Sequence, residues 1–288
     1  MSIVYLNGEC LPAERALIPV QDRGFNFGDG IYEGVRSVGG SLFEWDAHAA
    51  RMVNGLGGLR INFGEAAVAG LKGVCERLLQ ENRLSDGEAF IYLEVTRGSA
   101  PRTHHFPPAE TPPTVYVTST RLVVPRELRE EGGRAITYPD LRWARCDWKT
   151  VNLLGNVLAR QAASEAGAYE AILHRDGLVV EGAATNVFAV TGGVLRTHPR
   201  SQRMLPGVTR KVIMELVTGM HLPLREEAVT LAELAGAEEV FVCGSTTDVT
   251  PIVVLDGKLV DRGAPGPLTV RLREAFEAKL YQAAGTAR

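Results

Sequence analysis

Hydrophobic positions at the start of the chain form short runs about a turn pair. Ile3-Val4-Tyr5-Leu6 and Glu9-Cys10-Leu11 flank Asn7-Gly8, a pair suited to a two-residue hairpin because both turn positions need positive φ. The chain is expected to open on a β-meander. Ile31 to Val38 and Ser41 to Trp45, joined by Gly39-Gly40, read as a second hairpin, after which Asp46 is placed to cap a helix through Arg51. The period then becomes helical: Val68, Leu71, Cys75, Leu78 and Leu79 form one apolar stripe between about Glu65 and Glu81. Strands at Ala89 to Thr96 and Thr114 to Thr118 bracket a loop rich in Pro and His, Arg97 to Pro113, which is too long to be idle packing.

Arg121 to Arg134 combines charges with Pro125 and Gly132-Gly133, the composition of a linker. Beyond it an Ala- and Leu-rich helix is expected from about Asn152 to Ala166, and hairpins turn at Asp176-Gly177, Gly192-Gly193 and Asp256-Gly257. A further helix starts near Gly207, and Pro267 opens a C-terminal helix carrying Leu268, Leu272, Phe276 and Leu280. The 288 residues exceed an ordinary single domain of about 100–150 residues, so two domains are expected. The pattern divides them into a small N-terminal α/β domain over 1–120, a linker over 121–134 and a C-terminal domain over 135–288.

Composition narrows the partners. With 45% hydrophobic and 23% charged residues the chain matches soluble globular domains, which argues against disorder and membrane spanning. A net charge of -3 supplies no basic field for a nucleic-acid backbone, so a small-molecule partner is expected, with no nucleic acid and no membrane. Cys10, Cys75, Cys146 and Cys243 make no C-x-x-C pair and read as buried thiols in a reducing compartment. His48, His174, His198 and His221 lack ligand spacing, and no metal is expected. The first residues lack the charged start and long apolar run of a signal peptide, so the expected location is the cytoplasm.

Lys149, in Trp148-Lys149-Thr150-Val151, lies between an aromatic residue and an apolar helix start, where an ammonium is poorly solvated and an amine with a lowered pKa forms Schiff bases readily. Taken alone it also reads as a surface lysine at a helix start. Glu181 ends the apolar strand Leu178-Val179-Val180 and should be half buried and in need of a cation; a protonated pyridine nitrogen would serve. A strand-end glutamate in water fits the local pattern equally well. Two segments suit an anion: Leu205-Pro206-Gly207-Val208-Thr209-Arg210 at a helix start, and Gly244-Ser245-Thr246-Thr247 after a strand. With Arg51 as counter-charge they fit a phosphate monoester better than a dinucleotide, since neither G-x-G-x-x-G nor a P-loop is present.

These motifs, together with Asp22-Arg23-Gly24, Phe27-Gly28-Asp29-Gly30-Ile31-Tyr32-Glu33, Val95-Thr96-Arg97-Gly98, Pro101-Arg102-Thr103-His104-His105-Phe106, Asn152-Leu153-Leu154-Gly155 and Tyr169 through Asn186-Val187-Phe188, make nearly the whole chain resemble the fold-type IV pyridoxal-phosphate enzymes. Within them it is most similar to bacterial D-amino-acid aminotransferases. The resemblance implies an α/β (α+β) protein of two domains, a small N-terminal α/β domain and a larger C-terminal β-barrel-like domain with helices, with the cofactor lying between them. It implies pyridoxal 5'-phosphate held by Lys149 as the Schiff-base lysine, with Glu181 on the pyridine nitrogen and Arg51, Val208, Thr209, Ser245 and adjacent Thr246 around the phosphate. Leu205 would pack on the ring. Tyr32, Arg102 and His104 would hold the substrate carboxylate, and a homodimer would carry Arg102 and His104 into the neighbouring subunit's site.

The implied reaction is transamination between a D-amino acid such as D-alanine and a 2-oxo acid such as 2-oxoglutarate. Branched-chain aminotransferases, (R)-amine transaminases and aminodeoxychorismate lyases share the fold and stand as alternatives. Ala184 stands where the D-amino-acid enzymes have serine, and Gly34 with Arg36 is more similar to the branched-chain pattern. Glu94 in turn replaces an arginine of the branched-chain enzymes, and a glutamate there could not hold a carboxylate.

Overall fold

The computed structural model describes residues 2–123 and 125–285. Two units share them: residues 2–123, 148–153 and 280–285 form one, and residues 125–147 and 154–279 the other. The segment around Lys149 therefore groups with the N-terminal part, not with the domain expected from 135 onward.

In the first unit, strands β1 (Ile3–Leu6), β2 (Glu9–Pro12), β3 (Gly30–Val38), β4 (Ser41–Leu42), β5 (Glu88–Thr96) and β6 (Thr114–Arg121) form an antiparallel sheet in the order β2-β1-β6-β5-β3-β4. Asn7 and Gly8 take φ of 49° and 105°, as the first hairpin requires. Helix α1 (Arg23–Phe27) precedes β3, and helices α2 (Trp45–Leu59) and α3 (Glu65–Glu81) follow β4. One face of the sheet buries Ile31, Val35, Ile91, Leu93 and Val95 against Met52 and Leu56 of α2 and the Val68, Leu71, Cys75, Leu78 and Leu79 stripe of α3. Because side chains alternate along a strand, Tyr32, Tyr92, Glu94 and Tyr116 stand on the other, half-exposed face. Two local expectations change. The strand after Gly39-Gly40 stops at Leu42, because Trp45 already begins α2, and Asp46 lies in the first turn of that helix behind a left-handed Glu44 instead of capping it.

The second unit begins with helix α4 (Arg126–Glu131) and contains helices α5 (Leu154–Glu165), α6 (Val208–Gly219) and α7 (Leu231–Ala235). Helix α8 (Pro267–Ala283) begins in it. Its strands are β7 (Gly133–Pro139), β8 (Glu170–Arg175), β9 (Leu178–Gly182), β10 (Asn186–Thr191), β11 (Val194–Thr197), β12 (Leu224–Glu226), β13 (Glu239–Gly244), β14 (Asp248–Leu255) and β15 (Lys258–Leu259). They join in the order β12-β11-β10-β13-β14-β7-β8-β9, with β15 on β14. The end strand β9 also packs beside β10, so this mixed sheet curls back on itself in a half-barrel. Residues 126–131 are helical, not linker: buried Arg129 is held by Asp248 and by Glu277 at 3.4 Å, which gives that charged stretch a fixed place. Helix α5 starts at Leu154, two positions later than expected, because the residues before it run extended along β3.

Candidate active site

Lys149 is placed by main-chain pairing. Tyr32 N donates to Lys149 O at 2.9 Å, Val151 N donates to Gly30 O at 3.1 Å, and Ile31 bridges Thr150. Residues 148–153 thus lie along β3, and Trp148 anchors them: its indole occupies the space over Gly58 of α2, where a Cβ would come within 2.3 Å of the ring. Only glycine admits that approach. The result sets the Lys149 amine on the half-exposed face, where Nζ donates to the Tyr32 hydroxyl at 3.1 Å and stands 4.2 Å from the centre of its ring.

Behind Tyr32 the next residue of β3 points the opposite way. Glu33 is buried and receives Arg51 Nε at 2.8 Å and Nη2 at 2.7 Å, with His48 Nδ1 at 2.8 Å. Burial alone would raise the Glu33 carboxyl, but the charge and hydrogen bonds of Arg51, helped by His48, hold it well below the ordinary carboxylate range. Burial lowers His48, and the nearby charges of Arg51 and Lys149 add to that against the pull of Glu33. Arg51, expected as a phosphate counter-charge, therefore shares its charge with Glu33.

The loop bearing Arg102 and His104 is tied down from below. Asp29 accepts Arg23 Nε and Arg97 Nε, both at 2.8 Å, while Arg23 Nη1 donates to Thr103 O at 2.7 Å. Phe106 lies under Arg97 at 3.7 Å and near Arg60 at 4.7 Å. Arg102 and His104 themselves are exposed and flank Phe27, at 5.0 Å and 5.7 Å from its ring. Their place within one chain is thus beside α1.

Glu181, on β9 of the second unit, is more deeply buried than the sequence suggested, at 3% exposure. Its carboxylate is held on all sides: by the Arg142 guanidinium, by Asn186 Nδ2 at 3.1 Å, and by Leu205 N at 3.1 Å to both oxygens. Burial drives the Glu181 carboxyl up from its ordinary range, opposed by the Arg142 charge and these hydrogen bonds. Arg142 is steadied in turn by Asp140, with Nε to Oδ1 at 2.8 Å, and Asp140 also takes Arg175 Nη2 at 2.9 Å. Neither Arg142 nor Asp140 lies in a motif, whereas Asn186 opens the Asn186-Val187-Phe188 motif.

Asn186 also touches one of the two segments expected to suit an anion and pairs beside the other. Its side chain donates to Leu205 O at 3.0 Å and its Oδ1 stands where a Gly207 Cβ would be, at 2.0 Å, while its backbone is paired with Cys243 beside the 244–247 turn. Gly207 is the N-cap of α6 without a side-chain cap, so the first amides of that helix, at Val208 and Thr209, have no capping partner from Gly207 itself. Ser245 is half-buried and Thr246 exposed in the turn. Arg210 instead turns inward, with Nη2 on Glu226 and His198 O, both at 2.9 Å. The four cysteines are free; Cys10 is only half-buried, unlike the other three.

The first unit thus holds an amine close to a phenol, and the second a buried, oriented carboxylate and a helix start without a side-chain cap, group types that suit an aldehyde cofactor carrying a phosphate and a basic ring nitrogen. The class IV aminotransferase family model matches residues 30–255. The chain belongs to the class IV aminotransferases. These enzymes use pyridoxal phosphate. Among its relatives, D-alanine aminotransferase from Staphylococcus haemolyticus is 40% identical over 96% of this chain and 97% of its own length. The Bacillus licheniformis D-alanine aminotransferase is 40% identical, with 95% of each chain covered. Among solved structures, Escherichia coli branched-chain amino acid aminotransferase superposes with a TM-score of 0.90 at 27% identity, covering 96% of this chain and 94% of that one. The branched-chain aminotransferase of the archaeon Thermoproteus uzoniensis, solved with norvaline, gives 0.85 at 25% identity, over 99% and 95%.

Proposed function

We propose that this aminotransferase exchanges the amino group of a D-amino acid such as D-alanine with the oxo group of a 2-oxo acid such as 2-oxoglutarate. The observation that carries the reading is the Lys149 amine 3.1 Å from the Tyr32 hydroxyl on the half-exposed face. Lys149 Nζ is the base for the substrate Cα proton, and Tyr32 orients it. Pyridoxal 5'-phosphate, when bound, supplies the electron sink for that proton transfer. Glu181, fixed by Arg142, Asn186 and the Leu205 amide, stands for the ring nitrogen, and Leu205 for the ring face. The α6 amides at Val208 and Thr209, the Ser245 and Thr246 hydroxyls and the Arg51 charge stand for the phosphate.

Tyr32, Arg102 and His104 take the substrate carboxylate. A guanidinium offers two parallel donors, the geometry a carboxylate fits. The working unit is a homodimer in which Arg102 and His104 reach the neighbouring site. In support, Leu17 and Val20 are 80% and 79% exposed and Phe25 is 73% exposed, an apolar stretch unusual for a free surface. No described helix is long and apolar enough to cross a membrane, and the proposed location is the cytoplasm. The relatives at 40% identity favour the D-alanine reading over the branched-chain one. The branched-chain resemblance at Gly34 and Arg36 also has a local explanation: the Phe90 ring fills the space over Gly34, and Arg36 is buried on Glu88.

A panel of D- and L-amino acids with 2-oxoglutarate tests reaction and handedness together, and turnover of D-alanine but not L-leucine is expected. Arg102→Leu should lose about 30-fold to 1000-fold in kcat/KM for D-alanine, and much less for a primary amine without a carboxylate. Equal losses on both would assign Arg102 to the fold or the dimer.

A further inference from the structure

Tyr32 and Glu94 stand directly opposite each other across β3 and β5, which sets their Cβ atoms about 4.5–5.5 Å apart on the same face of the sheet. Tyr92, two positions before Glu94, stacks on Tyr32 with ring centres 5.5 Å apart, and its hydroxyl donates to Glu94 Oε2 at 2.6 Å. Tyr116 stands opposite Glu94 on β6, 6.3 Å from the Tyr92 ring. Glu94 is thus walled by three tyrosines, the first of which touches Lys149. Among the described residues Glu94 forms no ion pair.

We propose that Glu94 is a specificity-determining residue of this site: its carboxyl beside Tyr32 weakens the hold on carboxylate-bearing substrates and leaves neutral ones untouched. The inference rests on Tyr32 as a partner of the substrate carboxylate. A carboxylate seated there meets a second acid across one strand pair, and two acids this close oppose each other's ionisation. In a partly screened site that repulsion is worth about tenfold in affinity. A neutral substituent escapes it. In keeping with this crowding, burial pushes the Glu94 carboxyl up from its ordinary range, with Tyr92 opposing and the Asp22 charge adding to the rise. Tyr92 also gives Glu94 an acceptor role that a glutamine preserves, so the tyrosine wall survives removal of the charge.

The experiment uses the holoenzyme and two probes of matched shape, propionate and propionamide, with dissociation constants from titration calorimetry. Glu94→Gln should bind propionate about tenfold tighter while propionamide stays within about twofold, and Glu94→Asp, which keeps the charge, should leave both near wild type. Tightening of both probes in Glu94→Gln, no change in either, or the same tightening of propionate in Glu94→Asp would each overturn the inference. Turnover keeps the two readings apart: a wild type inert toward D-alanine sinks the transamination reading, whereas the calorimetric comparison needs no turnover and judges Glu94 alone. With pyruvate as acceptor, Glu94→Gln should also raise kcat/KM for D-alanine more than for a carboxylate-free primary amine.

Discussion

Lys149 and Glu181 are held in opposite ways. Among the described residues the lysine amine makes one side-chain hydrogen bond, to Tyr32, on a half-exposed face, and its place comes from the backbone pairing with β3 and from Trp148 seated on Gly58. Glu181 has no such freedom: it is 3% exposed, and Arg142, Asn186 and the Leu205 amide occupy both of its oxygens. The contrast suits the role proposed for each. A group that has to move a proton needs an anchored main chain and a mobile tip, while a group that acts by charge works best when it cannot reorient at all.

Removing the mobile tip should have the largest effect. Lys149→Ala is expected to cut turnover by at least about 1000-fold, the size of a lost general base. Borohydride treatment followed by peptide mass spectrometry should fix the cofactor on the peptide containing Lys149 in the wild type and on no lysine in the variant. Fixation on another lysine would remove Lys149 from its role.

The fixed charge should come next. Glu181→Gln keeps the shape and one acceptor but deletes the charge, and the expected loss is about 100-fold to 1000-fold in kcat. It also leaves Asp140 as the one carboxylate on Arg142 among the described residues, so the variant should melt earlier than the wild type even without cofactor. A rate within twofold of wild type would show that the carboxylate only pairs Arg142, and Glu181 would no longer stand opposite Lys149 as a working charge.

Much of the scaffold is legible in the sequence, because it depends on near neighbours along the chain. The Val68 to Leu79 stripe of α3, the Asn7-Gly8 turn and the α6 start after Gly207 each follow from a local period or a local φ requirement. Lys149 and Glu181 are visible through their motifs. What surrounds them is not. Arg142 is 39 positions from Glu181 and sits in no pattern, and the buried Asp140 that steadies it looks in sequence like any loop aspartate. The grouping of residues 148–153 with the first unit arises from the Ile31 to Thr150 pairing, a contact that no local rule anticipates. Residues 126–131 read as linker because the charge and glycine content around them is high, yet burial of Arg129 on Asp248 makes them helix. In each case a contact between residues distant in sequence decides the outcome.

The smallest effect on chemistry, and a clear one on stability, is expected behind Tyr32, where Glu33 supports the Lys149 side of the comparison from the buried face of β3. Glu33→Gln leaves Arg51 and His48 without their carboxylate, and breaking a buried pair in this way costs about 3 kcal/mol. The pH dependence identifies the source. The folded-state pKa of Glu33 lies below its unfolded value of about 4.3, so its contribution is fully present above that pH and is lost as the pH falls toward the folded value. His48, whose folded pKa is also lowered, costs the wild type stability below its unfolded value of about 6.5, where the unfolded chain takes up its proton, and costs the variant no less, because the carboxylate that pulls His48 upward is gone. Urea midpoints of wild type and Glu33→Gln should therefore differ at neutral pH, keep at least that gap down to about pH 4.3, and lose the Glu33 part of it below. A gap that stayed constant through that range would mean that Glu33 contributes shape rather than charge. In that case the amine of Lys149 would owe its position to Trp148 and the β3 pairing alone.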